Sequence, residues 1–135
     1  MVIHVGVSYK AKCLTLETKA SSHGYKKKDI TEKCPIEIDS NEITTLQCIN
    51  VGLNIDKICK KLSEEHSILI SDNAGRYLCE FTFYQSLSIN PNRALFVHVP
   101  DFHVYPCQTT EKELFNLICC TLETLEDESA IMSTH

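Results

Sequence analysis

The stretch at residues 67–88 constrains the fold more than any other part of this 135-residue chain. The run at 67–70 is short, apolar and rich in β-branched residues, which is typical of a buried strand. Turn-forming residues at 72–75 interrupt it, and a helical pattern begins near Arg76 and continues to about Ser88. A strand, a tight glycine turn and a helix in direct succession predict an α/β fold.

Apolar and helical patterns on either side of this stretch add further elements. Short apolar runs predict strands at 2–7, 13–17 and 94–99, and apolar residues at helical spacing predict helices at 54–65 and 110–126. Since strands and helices alternate, we expect a three-layer α/β/α domain with a mostly parallel open sheet. The domain is predicted to span 1–126, and a polar, frayed tail is predicted at 127–135.

Helix starts and one long connection complete this outline. Asn54 is expected to be the N-cap of its helix, and Thr110 with Glu113 is expected to form a capping box at the start of the last helix. The chain from 18 to 49 is polar and irregular, which predicts a long loop. Its basic run at 26–28 is expected to be a solvated part of that loop.

Cys79 lies in the first turn of the helix that follows the glycine turn. Unpaired backbone N–H groups and the positive end of the helix dipole lie there, and both favour the thiolate, which is the nucleophilic form. We expect Tyr77, Phe81 and Tyr84 to form the apolar stripe of this helix, with Cys79 on the opposite side. A free cysteine is more often a small buried hydrophobe than a nucleophile, so its partners decide between the two interpretations.

Two further side chains are expected to meet Cys79. Parallel strands bring their carboxyl ends to one edge, where open α/β sheets bind ligands. If the Cys79 helix joins the strands at 67–71 and 94–99 as a βαβ unit, His98 reaches that edge, and so does Glu17. A thiol, an imidazole and a carboxylate are the groups that nucleophilic acyl transfer needs. Taken singly, His98 is more often a satisfied strand-end histidine and Glu17 a half-exposed strand carboxylate.

Composition excludes several classes of function. The net charge of −5 argues against nucleic acid as a partner. No apolar segment is long enough to span a membrane and no signal peptide is visible, so we expect no membrane association, reduced thiols and a cytosolic location. The eight cysteines include no Cys-x-x-Cys pair. His98, His103 and Cys107 match no standard metal-site spacing, so no metal is predicted.

Four segments, at 4–8, 14–17, 72–79 and 96–100, resemble the pyroglutamyl peptidase I family in order and spacing. This family is also called pyrrolidone-carboxylate peptidase, and the resemblance covers about 2–126. It implies a cysteine-type omega peptidase that removes N-terminal pyroglutamyl residues from peptides, in one α/β/α domain without metal or cofactor. By the same resemblance Cys79 matches the nucleophile, His98 the general base and Glu17 the third member of the triad.

The chain departs from this family in two places. Family chains begin with a further strand and a Gly-Phe-Gly-Pro-Phe type loop whose phenylalanines help hold the pyroglutamyl ring, and this chain has no counterpart. In addition, Tyr9 stands where the animal enzymes have a glycine. We therefore expect this chain by itself to have weak peptidase activity or none, and a catalytically inactive binding protein is the alternative function. No feature favours an acyl transferase or another hydrolase on the same scaffold.

Overall fold

A computed structural model of the protein describes residues 1–22, 48–75 and 78–133. Within these ranges the elements are, in order, β1 (Val2–Ser8), β2 (Leu14–Glu17), β3 (Lys19–Ser21), β4 (Cys48–Asn50), α1 (Ile55–Leu62), β5 (Ile68–Ser71), α2 (Leu78–Ile89), β6 (Ala94–Pro100) and α3 (Cys107–Ser133). The predicted basic loop at 26–28 and the residues Arg76 and Tyr77 lie outside the described residues.

Four strands form the main sheet in the order β1-β6-β2-β5. Two of its three pairings, β1 with β6 and β2 with β5, are parallel, so the predicted mostly parallel sheet of the α/β class is confirmed. The predicted βαβ unit of β5, α2 and β6 is wrong, because β2 lies between these two strands and pairs with β6 in the antiparallel direction. Residues 9–13 between β1 and β2 are too few for a parallel crossover, so β2 returns antiparallel to β1.

Helices cover both faces of the sheet, as predicted. Residues of β6 alternate between the two faces because successive side chains of a strand point in opposite directions. Ala94 and Phe96 pack with Phe83 and Leu87 of α2. Leu95, Val97 and Val99 pack on the opposite face with residues of α1 and α3, including Ile58 and Leu117. Except for the small Ala94, each of these buried side chains stabilises the fold by roughly 1.5–3 kcal/mol.

The ends of α1 and α3 show one correct and two wrong predictions. Asn54 caps α1, because its side-chain oxygen accepts the N–H of Lys57 at 3.1 Å. Helix α3 begins at Cys107, before the predicted Thr110–Glu113 capping box, and the Pro106 carbonyl accepts the N–H of Thr110 at 3.2 Å. The predicted frayed tail is also wrong over 127–133, since α3 continues to Ser133.

A second, two-stranded sheet lies within the segment that was predicted to be irregular. Strands β3 and β4 pair antiparallel, with Ala20 opposite Ile49. Ala20 is fully buried in the core between α2 and the main sheet. The small sheet therefore packs against α2. None of the described helices is long and apolar enough to cross a membrane.

Candidate active site

The turn between β5 and α2 brings Cys79 to the start of a helix. Asn73 accepts the backbone N–H of Gly75 through its side-chain oxygen, at 3.0 Å. Gly75 has a φ of 100°, in the left-handed region that glycine adopts without steric cost. Helix α2 then begins at Leu78, which puts Cys79 in its first turn. The predicted strand, glycine turn and helix are confirmed.

Helix α2 turns Cys79 toward the sheet rather than away from it. Phe83 and Leu87 are fully buried, and Cys79 lies one turn before Phe83 on the same side of the helix and packs against the same core. The predicted apolar stripe with Cys79 opposite is therefore wrong, and its member Tyr77 lies outside the described residues. Apolar residues occur all around this helix, so their spacing alone does not select the buried face.

Glu17 and His98 form a buried pair on the face of the sheet that α2 covers. Glu17 lies opposite Phe96 across the β2–β6 pairing, and His98 follows Phe96 by two residues on the same face. The ring nitrogen Nδ1 of His98 donates to Oε1 of Glu17 at 2.8 Å. Glu17 is only 2% exposed, and its Oε2 has no hydrogen-bond partner among the described residues. The buried carboxylate of Glu17 therefore has the imidazole of His98 as its side-chain hydrogen-bond partner among the described residues.

The thiol of Cys79 lies beside this imidazole, since a Cβ atom built on Gly6 would be 3.5 Å from Sγ of Cys79 and 3.6 Å from Cδ2 of His98. Burial is the largest single influence on the pKa of His98 and lowers it. Interactions with Cys79 and Glu17 outweigh burial and raise that pKa to about 9. Both neighbours therefore favour the protonated form of the His98 imidazole.

The structure brings together the three residues that the sequence selected, by a different route from the one expected. Glu17 reaches His98 across an antiparallel strand pairing, because β2 and β6 are neighbours. Cys79 reaches it from α2, which packs over β6 and β1. Proximity of the three groups was predicted from strand ends at one edge, whereas packing of α2 on one face produces it.

Other residues of this site were missed by sequence reasoning. The ring of Phe96 lies 4.6 Å from that of His98, measured between centroids. His4 on β1 makes a hydrogen bond to Ser86 on α2, at 2.8 Å, and burial lowers its pKa. Gly6 pairs with His98 across the β1–β6 register. The available signals were the two-residue spacing of Phe96 and His98 and a glycine inside a strand, which often marks close approach of another group.

Two further sequence observations concern the surroundings of the site. The side chain of Tyr9 is 89% exposed, so it does not pack into the space beside Cys79. Over 1–22, 48–75 and 78–133, no group of three or more histidine, cysteine or acidic residues is placed to hold a metal ion. His103 and Cys107, which the spacing argument set aside, are both exposed.

An α/β sheet that holds a thiol, an imidazole and a buried carboxylate together has the side chains that nucleophilic acyl transfer requires. The family model described as "Putative pyroglutamyl peptidase PgaPase_1" matches residues 1–103. The chain therefore belongs to the pyroglutamyl peptidase family, and the resemblance inferred from its motifs is confirmed.

Relatives and solved structures agree with this assignment. Human pyroglutamyl-peptidase 1 is 38% identical over an alignment of 108 residues that covers 74% of this chain and 49% of that protein. Human pyroglutamyl-peptidase 1-like protein is 32% identical over 101 residues, or 74% of this chain and 51% of that protein. The chain thus spans about half the length of these curated relatives.

Solved structures show the same fold. A mutant pyrrolidone carboxyl peptidase from the hyperthermophile Pyrococcus furiosus has a TM-score of 0.72 at 25% identity, over 91% of this chain and 69% of that one. Pyrrolidone carboxyl peptidase from Thermococcus litoralis has a TM-score of 0.74 at 22% identity, over 94% of this chain and 67% of that one. The three-layer arrangement described above is therefore the arrangement of these peptidases.

Proposed function

We propose that this chain carries the catalytic site of a cysteine-type omega peptidase that removes N-terminal pyroglutamyl (5-oxoproline) residues from peptides. The observation that carries the proposal is the position of Cys79 beside the hydrogen-bonded His98–Glu17 pair, in which 2.8 Å separates His98 Nδ1 from Glu17 Oε1. Membership of the pyroglutamyl peptidase family and the similarity to human pyroglutamyl-peptidase 1 support the choice of substrate.

In the first half of the proposed reaction, the sulfur of Cys79 attacks the carbonyl carbon of the pyroglutamyl residue. The Cys79 proton resides on His98, whose raised pKa suits it to hold that proton beside the sulfur. The C–N bond then breaks, and His98 gives its proton to the leaving amine of the shortened peptide. A pyroglutamyl thioester on Cys79 remains.

In the second half, water hydrolyses the thioester. Neutral His98 takes a proton from the water as the water oxygen attacks the thioester carbon. The C–S bond breaks, free pyroglutamate leaves, and the Cys79–His98 pair returns to its starting protonation. These steps require no group beyond the side chains and water.

Glu17 serves this cycle by orienting His98. Its bond to Nδ1 fixes the ring so that the other nitrogen faces the thiol and the leaving group, and its charge stabilises the imidazolium. The first turn of α2 is proposed to stabilise the oxyanion of each tetrahedral intermediate, because amide N–H groups at a helix start have no acceptor within the helix. We propose a reducing, cytosolic location, which keeps the Cys79 thiol free.

A protein that binds pyroglutamyl peptides without turning them over is the second candidate. The exposure of Val5 and Val7 favours it, because they are 51% and 62% exposed on the strand that also carries Gly6. Exposed apolar side chains on one face of a strand can form part of an interaction site. In that case the Cys79–His98 pair is present but substrate is not held in a reactive position.

Hydrolysis of a fluorogenic pyroglutamyl amide by the purified chain tests the proposal. Cys79→Ala is expected to abolish turnover, whereas Cys107→Ala, which removes an exposed cysteine, is expected to leave it unchanged. Binding of a pyroglutamyl dipeptide is measured in parallel by calorimetry. Binding without turnover supports the second candidate, and turnover that survives Cys79→Ala contradicts the proposed nucleophile.

A further inference from the structure

Gly6 lies where the edge strand of the sheet passes the reacting side chains. It pairs with His98 and is on the face that α2 covers, as is its neighbour His4. A Cβ atom built on Gly6 lies 3.0 Å from Cζ of Phe96, 3.5 Å from Sγ of Cys79 and 3.6 Å from Cδ2 of His98. A methyl group at position 6 would therefore lie next to the thiol of Cys79, the imidazole of His98 and the ring of Phe96.

A side chain at position 6 would lie too close to the ring of Phe96. Carbon atoms pack at about 3.5–4.0 Å, so a separation of 3.0 Å requires something to shift. Phe96 is 2% exposed and lies between two rings, with centroids 5.6 Å away in Phe83 and 4.6 Å away in His98. Because interiors are close-packed, a ring displaced from Gly6 moves toward His98 or the α2 core.

We propose that Gly6 is a positioning residue for the Cys79–His98 pair. Its bare backbone leaves Phe96 in the place where that ring supports His98, and so keeps the imidazole in position beside the Cys79 thiol. Glycine inside a strand weakens the strand, since it has no side chain to pack and gains more entropy on unfolding. Here that cost is offset by the space required beside the thiol. The effect of Gly6 on catalysis rests on the proposed function, whereas its effect on the positions of Phe96 and His98 does not.

The test measures the rate of Cys79 alkylation by iodoacetamide against pH, followed by peptide mapping. This rate reports the pairing of the thiol with His98 whether or not the chain turns over substrate. Gly6→Ala is expected to slow alkylation at neutral pH by roughly tenfold, because a displacement of about 1 Å in a reacting pair has effects of ten- to a hundredfold. Its pH profile should shift toward that of an ordinary exposed cysteine.

Gly52→Ala is the matched control. Gly52 takes no part in the site, because its N–H donates to the carbonyl of Pro91 in the turn before β6. A Cβ atom added to Gly52 meets the flexible side chain of Asn92. This variant should keep the wild-type alkylation profile. An unchanged profile for a folded Gly6→Ala variant would overturn the inference.

Phe96→Leu combined with Gly6→Ala covers the case in which the single variant does not fold. Leucine lacks the Cζ atom that the added methyl group meets, so the double variant should fold, and because it also lacks the ring that supports His98, its Cys79 should still alkylate more slowly than that of the wild type. If both variants fail to fold, Phe96 is not the group that the side chain displaces and the inference is wrong. If the wild type shows no peptidase activity but Gly6→Ala still changes the alkylation profile, the inference stands and the proposed function fails.

Discussion

Two histidine–glutamate pairs in this protein look alike and differ in what surrounds them. His98 bonds to Glu17 at 2.8 Å, and His66 bonds to Glu113 at 3.2 Å, in each case through Nδ1 and one carboxylate oxygen. Both carboxylates are buried, and the second oxygen of each has no hydrogen-bond partner among the described residues. A search for a buried imidazole–carboxylate pair alone would therefore select both.

The position of the nearest thiol separates the two pairs. The thiol of Cys79 lies beside the imidazole of His98. Near the second pair, the thiol of Cys13 interacts with the carboxylate, and burial together with the charge of Glu113 raises the pKa of Cys13. The other nitrogen of His66 accepts instead from the amide of Asn116, at 2.6 Å. Under the proposed mechanism, activation of a thiol requires the order thiol, imidazole, carboxylate, and the presence of the three groups is not sufficient.

The His66–Glu113 pair and the side chains around it belong to the packing of α3. Burial raises the pKa of Glu113, against the opposing influence of His66. Burial, followed by the charges of Glu113 and Cys13, also raises the pKa of Tyr105. These groups connect the start of α3 to the segment before β5. They lie near one another, and the Cys13 thiol among them interacts with the carboxylate of Glu113 rather than with the imidazole of His66.

Matched amide substitutions should give the largest difference between the pairs. In a chain extended to the length of its curated relatives, Glu17→Gln is expected to lower kcat for a pyroglutamyl amide by roughly 10²- to 10⁴-fold, because the neutral amide neither orients His98 nor stabilises its charge. KM should change little, since Glu17 does not hold substrate. Glu113→Gln should leave kcat within about threefold of wild type. Equal losses of kcat in steady-state assays would show that the two pairs are equivalent, and near-normal kcat in Glu17→Gln would remove Glu17 from the mechanism.

The titration of His98 should show a smaller but direct effect. Its imidazole is expected to titrate with a pKa near 9 in the wild type, followed by the ring proton signals in NMR spectra. In Glu17→Gln the carboxylate that raises this pKa is lost while the burial that lowers it remains, so the titration must move to lower pH. Glu113→Gln should leave the His98 titration in place. An unchanged midpoint in Glu17→Gln would contradict the coupling.

Much of the fold follows from local patterns in the sequence. The β-branched runs and helical spacing identify β1, β2, β5, β6 and all three helices, because each element buries one face of its own. A short apolar run does not show whether its strand pairs in the parallel or the antiparallel direction. The short connection at 9–13 was the available signal, since it allows β2 to return only in the antiparallel direction.

The three residues of the candidate site were also selected from the sequence, but their surroundings were not. Cys79 stands out by its place after a glycine turn and His98 by its strand end, and the family motifs select the same residues. Gly6 and Phe96 become visible only when β1, β6 and α2 are packed together, because their contacts join residues far apart in the chain. The buried face of α2 likewise depends on which sheet surface it meets.

Limited alkylation of the folded protein tests the central claim most directly. The claim is that a thiol placed on the imidazole side of such a pair is activated and a thiol placed on the carboxylate side is not. At neutral pH, iodoacetamide should label partly buried Cys79 before the exposed Cys48 and Cys107, and buried Cys13 last. His98→Ala should remove the advantage of Cys79, whereas His66→Ala should not. Labelling of Cys79 after the exposed cysteines, or an advantage that survives His98→Ala, would contradict the account.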